Sequence, residues 1–425
     1  MLKEKITAVN GLNVHTIQTD KYKTNTLVLK MKAPLTKGTV TQRALLPYVL
    51  QSGTNTHSNV TALRSYLDEL YGATLNVDLT KKGEHHIITI RIDIANEKFL
   101  KDSTPLLSKA VQLLSDIVLH PALDQGEFVS KIVEQEKRAL KQRIQSVYDD
   151  KMRYANLRLV EEMCKGEPYS LHVNGQLEDV DKITSKSLYD YYKKALQEDE
   201  LDLYIIGDVD EAEVLDLVKL HFQFENRFVS RTHLPVTKKN ITKVNEVVEK
   251  QEVKQGKLNI GYRTNVTYSD DQYYALQVFN GIFGGFSHSK LFINVREKAS
   301  LAYYAASRLE SHKGLLMVMS GIEPNNYEKA VQIINEQMAA MKKGTFTDEE
   351  IEQTKAVIRN QLLETLDTPR GLVEVLYHNV VSERKRQVDE WIAAMEKVTR
   401  EEIIDVANQI ELDTIYFLTG MEGEK

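Results

Sequence analysis

The sequence is poor in cysteine and has no long apolar run. Cys164 is the only cysteine among 425 residues, which excludes an intrachain disulfide and any thiolate metal cluster, so a reducing cytosol is the expected setting. No window approaches the roughly eighteen uninterrupted apolar residues of a membrane span. Residues 1–20 have alternating charge where a signal peptide would have an apolar segment. We therefore expect a cytoplasmic protein without a membrane-embedded part.

An excess of charge of one sign is also missing. The chain has 55 Lys and Arg against 61 Asp and Glu, a net charge of -6 that is spread along the sequence. This distribution does not predict a nucleic-acid partner. With 42% hydrophobic and 27% charged residues, the composition is that of an ordinary globular protein, and a chain of this length predicts about two to four compact units.

The chain repeats one plan of strands and helices. Strand patterns lie at 25–33, 201–210, 258–263 and 414–423, KAVQLL (109–114) recurs as KAVQII (329–334), and ITSKSLYDYYKKAL (183–196) recurs as VTREEIIDVANQI (398–410). Chance similarity between helix-rich segments is the alternative, but order and offset are kept over several elements. A period of roughly 200 residues is too long for a solenoid and predicts two homologous domains. We place them at 1–225 and 249–425, joined by a polar linker at 226–248.

Glycines are clustered in the stretch GIFGGFSHSKLFINVREKASLAYY, residues 281–304. Their spacing matches neither a phosphate-binding P-loop nor a dinucleotide fingerprint. Gly284 and Gly285 are instead predicted to end one helix and to let the chain turn into a second helix that starts near Ser287.

Arg296 and Tyr303 flank the predicted corner between that second helix and the next strand, and they can point into one space. Taken alone, the pattern is weak evidence for a site. An arginine beside Glu297 is usually a solvated surface residue, and a tyrosine near a strand start is usually half-buried core.

Two adjacent histidines, His85 and His86, follow Glu84 in GEHHIITI. Because neighbouring side chains of a strand point to opposite faces, the two rings cannot readily converge on one ion, and polar strand residues are the favoured interpretation. Cys164 lies in no nucleophile motif and is interpreted as a buried spectator thiol.

The stretch LFINVREKASLAYY after GGFSHS resembles the second-domain signature of the pitrilysin/insulinase metallopeptidases, whose smaller members include the processing-peptidase subunits of mitochondria. YLDELYGATLNVDLT (66–80) and GEPYSLHVNGQLEDVDKITSKSLYDYYKKAL (166–196) are similar to the family as well. The resemblance covers essentially the whole chain. It implies an α+β fold of the LuxS/processing-peptidase-like type, with two homologous domains from an internal duplication. Each domain is an antiparallel-rich sheet of about six strands packed against helices.

Active members of that family hold zinc with H-x-x-E-H on a helix of the first domain and with a further glutamate on a later helix. Here the three motif positions are Ala44, Pro47 and Tyr48, and the later position is Arg143, with Glu136 seven residues upstream. No H-x-x-E-H or H-E-x-x-H occurs anywhere in the chain. Pro47 also argues against a regular ligand-bearing helix interior. We expect no metal on this chain and no hydrolysis by the chain alone.

The resemblance assigns a role to Arg296 and Tyr303, which match an Arg/Tyr pair that contacts the substrate backbone near the scissile bond in the family. Gly284 and Gly285 would shape the turn before them. The leading hypothesis is a non-catalytic subunit of a heterodimeric zinc metallopeptidase, which binds peptide and supplies the pair to the zinc site of a similar-length partner. Alone, the chain can form a homodimer.

Two other functions stay open on the sequence. One is a peptide-binding or scaffold protein with no role in catalysis. The other is an active zinc peptidase with a non-standard metal site near His85 or His86.

Overall fold

The computed structural model describes residues 3–101, 104–225, 227–229, 239 and 241–420. The chain forms two compact units. Unit 1 contains the described residues within 1–81, 85–146 and 171–234, and unit 2 contains those within 82–84, 147–170 and 235–425. Of the predicted linker 226–248, residues 226, 230–238 and 240 lie outside the described residues. The domain bounds 1–225 and 249–425 stay a prediction.

The elements alternate between helices and strands along the chain. The first half contributes β1 (Glu4–Val9), β2 (Leu12–Gln18), β3 (Thr24–Pro34), α1 (Val40–Leu50), α2 (Val60–Glu69), β4 (Thr74–Lys82), β5 (His85–Ala95), α3 (Leu106–Leu119), β6 (Leu123–Asp124), β7 (Glu127–Phe128), α4 (Ser130–Asp149), α5 (Lys151–Met163), α6 (Leu177–Val180), α7 (Ser185–Glu198), β8 (Glu200–Gly207) and α8 (Glu211–His221). The second half contributes β9 (Asn245–Gln251), β10 (Gly256–Arg263), α9 (Tyr273–Asn280), β11 (Ala302–Glu310), β12 (Leu315–Ile322), α10 (Tyr327–Lys342), α11 (Asp348–Leu366), α12 (Pro369–Ser382), α13 (Val388–Glu396), α14 (Arg400–Gln409) and β13 (Glu411–Gly420). Two π-helical stretches, Gly281–Gly285 and Phe292–Lys298, lie between α9 and β11.

Each unit contains one large, mostly antiparallel sheet. The six strands of unit 1 run in the order β1-β2-β8-β3-β5-β4, and the five strands of unit 2 run in the order β11-β12-β10-β13-β9. Only β2 with β8 and β9 with β13 pair in parallel among the pairings seen in the described residues. The predicted α+β class, with antiparallel-rich sheets of about six strands packed against helices, is confirmed.

The two sheets have the same topology. If β4, β5, β3, β8 and β2 are matched to β11, β12, β10, β13 and β9, the strand order and the place of the parallel pair agree, and β1 is an extra edge strand. Threonine caps at corresponding places in the two repeats also agree. Thr184 and Thr399 each accept a hydrogen bond from the backbone N–H three residues on and complete a capping box at the start of α7 and α14. The internal duplication is therefore visible in topology as well as in sequence.

A fully buried arginine attaches α1 to the sheet of unit 1. The Arg43 guanidinium donates to Asp199 Oδ2 at 2.6 Å, to Met31 O at 2.6 Å and to His86 O at 3.1 Å. A buried charge is tolerable only when a partner charge and acceptors satisfy it, and here both conditions hold. The position of α1 against β3 and β5 is thereby fixed, and with it the position of every side chain on that helix.

The sheet of unit 2 is covered on both faces. One face packs against a core that includes residues of α9, α10 and α14, and α5 packs on the other face, where Leu159, Val160 and Met163 meet Met317 and Leu418. Helix α5 comes from the first half of the sequence but belongs to the second unit. Burial of its apolar side on the sheet stabilises this position, because apolar area removed from water stabilises by about 25 cal/mol per Å².

Ion pairs inside unit 2 strengthen the attachment of α5. Arg263, at the end of β10, donates to Glu167 Oε1 at 2.7 Å, to Asp413 Oδ2 at 2.8 Å and to Met163 O at 2.7 Å. Lys313 pairs with Glu167 at 2.8 Å and also with Glu84. Burial alone raises the pKa of Glu167, but the hydrogen bonds and charges of Arg263 and Lys313 outweigh it and lower that pKa. Residues 82–84 and 163–167 are thus joined to the second sheet by charge as well as by packing.

None of the helices within the described residues is both long and apolar enough to cross a membrane.

Unit 1 contains a buried histidine whose charge should couple stability to pH. His15 Nδ1 lies 2.7 Å from Glu4 Oε1 and its Nε2 lies 3.1 Å from Asp202 Oδ1. Burial lowers the pKa of His15, but the hydrogen bonds and charges of Asp202 and Glu4 together exceed that effect and raise the pKa above 6.5. The pairs formed by protonated His15 therefore stabilise the folded state fully below the unfolded pKa, and this contribution is lost as pH rises through the folded pKa.

We expect His15→Gln to lower the free energy of unfolding more at pH 6 than at pH 9, by about 1.4 kcal/mol for each pKa unit of the shift. Urea unfolding at both pH values measures the difference, with His120→Gln as the control because His120 is exposed. An equal loss at both pH values would show that the folded pKa of His15 is not raised.

Candidate functional site

The three positions of the lost metal motif lie on α1. Ala44 and Pro47 are buried, and Tyr48 is half-buried. The helix continues through Pro47 to Leu50, so the expectation of an irregular helix at this point is wrong. Pro47 removes only the hydrogen bond to the carbonyl of Arg43, and the buried Arg43 side chain holds the helix to the sheet despite that loss.

The fourth position, Arg143, lies against the third. The Arg143 Cζ atom is 3.6 Å from the centroid of the Tyr48 ring, so the guanidinium stacks on the phenol face. Burial lowers the pKa of Arg143 and raises that of Tyr48, and the charge of Arg143 opposes the second shift. At neutral pH this leaves a fixed cation on α4 beside the residue that replaces a metal ligand on α1.

Glu136 is the remaining carboxylate on this part of α4. Its Oε1 atom lies 3.1 Å from the Ser52 hydroxyl, which is also 2.8 Å from Tyr48 O. Burial raises the pKa of Glu136, and the Ser52 hydrogen bond and the charge of Arg143 oppose the shift. The carboxylate is thus held by a hydroxyl and does not form an ion pair with Arg143 among the contacts of the described residues.

These residues do not fit the zinc ion that the resemblance implies. Zinc sites in proteins use histidine, cysteine and carboxylate ligands, whereas the four positions here are a methyl group, a pyrrolidine ring, a phenol and a guanidinium. Throughout the part of the chain that the structure describes, no group of three or more His, Cys, Asp or Glu side chains is placed to hold a metal ion.

The adjacent histidines of β5 differ in burial, as expected for opposite faces of a strand. His86 is fully buried, and burial together with the charge of Arg43 lowers its pKa to about 3, so it is neutral at pH 7. His85 is only partly buried. A metal site centred on this pair lacks further ligands among the described residues.

The clustered glycines continue α9 as a π-helix, Gly281–Gly285, and do not themselves form the turn. A Cβ atom at Gly284 would lie 2.6 Å from Ser307 Oγ and 2.7 Å from Leu291 Cδ1, so only glycine permits this approach of the π-helix to β11. A Cβ atom at Gly285 would lie 2.9 Å from Asn280 Nδ2. The two glycines therefore set how closely the helix that follows can pack on β11.

That following helix begins at Lys290 and is π-helical over Phe292–Lys298. The Phe292 N–H donates to Ser289 Oγ at 3.4 Å, so the cap lies two residues after the predicted Ser287. Arg296 is exposed on this π-helix, and its Cζ atom is 4.5 Å from the Phe292 ring centroid. Single π-helical turns are rare and often occur at functional sites.

Tyr303 is the most exposed of the large hydrophobic side chains in the described residues, with 80% of its surface accessible. The pairing of β11 with β12 shifts register between Ala302 and Tyr304, so Tyr303 is the extra residue of a bulge at the edge of the sheet. The alternative interpretation, a half-buried core tyrosine, is wrong. A bulge changes the direction in which a side chain points. Tyr303 therefore does not follow the regular alternation of side chains between the two faces of the strand.

Arg296 and Tyr303 lie on consecutive elements that pack against each other, and both are exposed to solvent. No contact between the two side chains is present among those of the described residues. Sequence reasoning identified both residues from the resemblance, but neither the bulge nor the π-helix. It also missed the stack of Arg143 on Tyr48, which has no local sequence signal because the two residues come from different helices.

Comparison with known proteins places these features in a family. Residues 182–358 match a family model described as "Peptidase M16 inactive domain". The chain is 58% identical over 413 residues, 97% of each chain, to a protein of Bacillus subtilis named "Probable inactive metalloprotease YmfF". It is 24% identical over 335 residues, 73% of this chain and 69% of the other, to the "Mitochondrial-processing peptidase subunit beta" of Saccharomyces cerevisiae.

A solved structure has the same fold over nearly the whole chain. A conserved protein from Enterococcus faecalis V583 aligns with a TM-score of 0.93 and 36% sequence identity, covering 99% of this chain and 100% of that one.

The cation at the lost metal site predicts a result for metal analysis. We expect the purified chain, incubated with excess zinc and then desalted, to contain well below one zinc ion per chain, because a guanidinium and a half-buried phenol replace ligands. Elemental analysis by mass spectrometry measures this, with a protein that has an intact H-x-x-E-H motif as the control. Stoichiometric zinc that resists desalting would contradict the prediction.

The stack of Arg143 on Tyr48 predicts a measurable coupling. In a double-mutant cycle with Tyr48→Leu and Arg143→Met, we expect an interaction free energy of about 1 kcal/mol, intermediate between exposed and desolvated pairs. Urea unfolding of the four proteins provides the values. Additive losses would show that the two side chains do not interact in solution.

Proposed function

Since the chain belongs to the peptidase M16 family of pitrilysin/insulinase metallopeptidases, as a member without the zinc motif, we propose that it is the non-catalytic subunit of a heterodimeric zinc metallopeptidase. In this proposal the chain binds peptide substrate and supplies Arg296 and Tyr303 to the zinc site of a partner chain. The partner is a family member of similar length that carries the intact motif, and both act in the cytoplasm. Without the partner the chain does not hydrolyse peptides.

The observation that supports the proposal most is the exposure of Tyr303 on the bulge of an edge strand. A large phenol that is 80% exposed gains nothing from packing, and the bulge aims it away from the sheet. Arg296 is exposed on the π-helix next to it. The Arg296 guanidinium and the Tyr303 hydroxyl are both hydrogen-bond donors. Because they are exposed, they are suited to bind an acceptor on another chain or on its bound peptide.

The chemistry available to the pair is stabilisation of negative charge. A phenol hydroxyl and a guanidinium can donate to the oxyanion that develops when a zinc-bound water attacks a peptide carbonyl. Removal of one such donor costs about 3 kcal/mol in the barrier, which corresponds to about 100-fold in kcat. The attacking water and its general base would come from the partner, because the residues at the lost motif of this chain cannot supply them.

The edge strands of the two sheets offer a way to bind peptide. Both end in edge strands, β4 in unit 1 and β11 in unit 2, and an extended peptide can add to such an edge through main-chain hydrogen bonds. The relative from Saccharomyces cerevisiae is named as a subunit, which supports a role in an assembly.

The test is reconstitution with the zinc-motif family member of the same source organism. We expect the mixture to cleave peptides, Tyr303→Phe to lower kcat about 100-fold with little change in KM, and Arg296→Ala to lower kcat by a similar factor. Arg308→Ala and Tyr148→Phe are matched controls, since Arg308 is exposed on the same strand and Tyr148 is a 40% exposed tyrosine outside it.

Two outcomes would overturn the proposal. If the heterodimer forms and neither change alters kcat, the chain is a scaffold without a role in catalysis. If the chain alone cleaves peptides, in a way that a chelator abolishes and that Arg296→Ala leaves intact, the chain is an active peptidase.

A further inference from the structure

The half-buried Arg143 side chain has a guanidinium without an acceptor among the described residues. Arg43 and Arg263 each have their guanidinium nitrogens bound to a carboxylate and to backbone carbonyls. In Arg143, Nε and Nη2 are buried without a hydrogen-bond partner, and no ion pair or hydrogen bond joins the guanidinium to any other residue that the structure describes. A buried donor without an acceptor destabilises the protein, so a group of this kind calls for an explanation.

Packing holds this guanidinium in one orientation. The Tyr48 ring covers one face of it at 3.6 Å, which fixes the plane of the fork, and of its three nitrogens only Nη1 is not buried. The side chain as a whole is half-buried, and an incoming carboxylate can reach it at Nη1, next to which Nη2 completes the end of the fork. A planar, oriented fork with unused donors is the arrangement that proteins use for bidentate recognition of carboxylates.

The carboxylate whose charge acts on Arg143, that of Glu136, does not use these donors. Glu136 lies on the same helix seven residues away, but its Oε1 atom lies within hydrogen-bond distance of the Ser52 hydroxyl. The charges of Glu136 and of Asp78 on β4 both act on Tyr48. The charge of Glu136 also acts on Arg143 and cancels part of its positive charge, so a bound anion must gain from the two-point geometry of the fork and not from net charge alone.

We propose that the degenerate metal site has become a carboxylate-binding site, in which the Arg143 guanidinium stacked on Tyr48 binds a carboxylate of a peptide. The inference rests on the proposed function for the peptide character of the ligand, and it extends that function by naming the chemical class that unit 1 selects. The carboxylate is either the C-terminus of the peptide or an aspartate or glutamate side chain. In this inference the chain holds the peptide by an organic cation, which cannot activate water.

The test uses the chain alone and four fluorescein-labelled decapeptides of one alanine- and serine-based sequence. The first has a free C-terminus, the second a C-terminal amide, the third the amide and one central glutamate, and the fourth the amide and a central glutamine. Fluorescence polarisation gives a dissociation constant for each. We expect the first to bind about tenfold more tightly than the second if the site takes a C-terminus, or the third more tightly than the fourth by a similar factor if it takes a side chain.

The variants separate geometry from charge. Arg143→Gln should abolish the carboxylate preference, and Arg143→Lys should lose most of it, because an ammonium keeps the charge but not the fork. Tyr48→Ala should weaken the preference through loss of the oriented stack. Arg138→Gln, the same change at an exposed position of α4, should leave it intact. Far-ultraviolet circular dichroism and urea unfolding show that each variant is folded.

A carboxylate preference that persists in Arg143→Gln would overturn the inference. So would equal binding of all four peptides, or no binding of any of them at millimolar concentration, by the wild-type chain. These results leave the turnover measured with Arg296 and Tyr303 variants in the heterodimer untouched, so the failure of this inference is distinguishable from the failure of the proposed function.

Discussion

A buried arginine paired with an aspartate organises each unit of this protein. In unit 1, Arg43 joins α1 to the aspartate that directly precedes β8, and in unit 2, Arg263 joins the end of β10 to Asp413 on β13, the strand that corresponds to β8. Each pair is satisfied by additional carbonyl or carboxylate acceptors, which a buried charge requires. Since α1 carries the lost motif and β10 lies at the centre of the second sheet, the geometry of both candidate sites depends on these two contacts.

The metal site has been lost in a way that leaves the surrounding fold intact. Helix α1 continues through Pro47, and the sheet that it packs on has the same topology as its counterpart in unit 2. What differs is the set of side chains at the motif positions. Ala44 and Pro47 are small and apolar, and the Arg143 guanidinium stacks on the Tyr48 phenol. A scaffold that persists without the metal motif agrees with the proposed function in binding, in which the exposed Arg296 and Tyr303 act on a second chain.

Some features of the fold cross the apparent boundary between the repeats. Helix α5 lies in the first half of the sequence, and its amphipathic pattern indicates only that one side is buried. The structure assigns that side to the second sheet, where Gly261 gives Met163 the space to approach β10. The pattern could not make that choice, because an apolar helix face fits either sheet and the decision depends on the ion pairs of Arg263 and Lys313 with residues distant in sequence.

The sequence by itself determined the duplication and the absence of the zinc motif, both of which depend on residue identity and spacing that a sequence states directly. Its resemblance to a known family implied the α+β class. Only the tertiary structure decided that Arg143 stacks on Tyr48, that α5 belongs to unit 2, and that Tyr303 is exposed on a bulge. The first two join residues from different elements, and the third depends on how β11 pairs with β12, so each is fixed by packing between segments that no local pattern encodes.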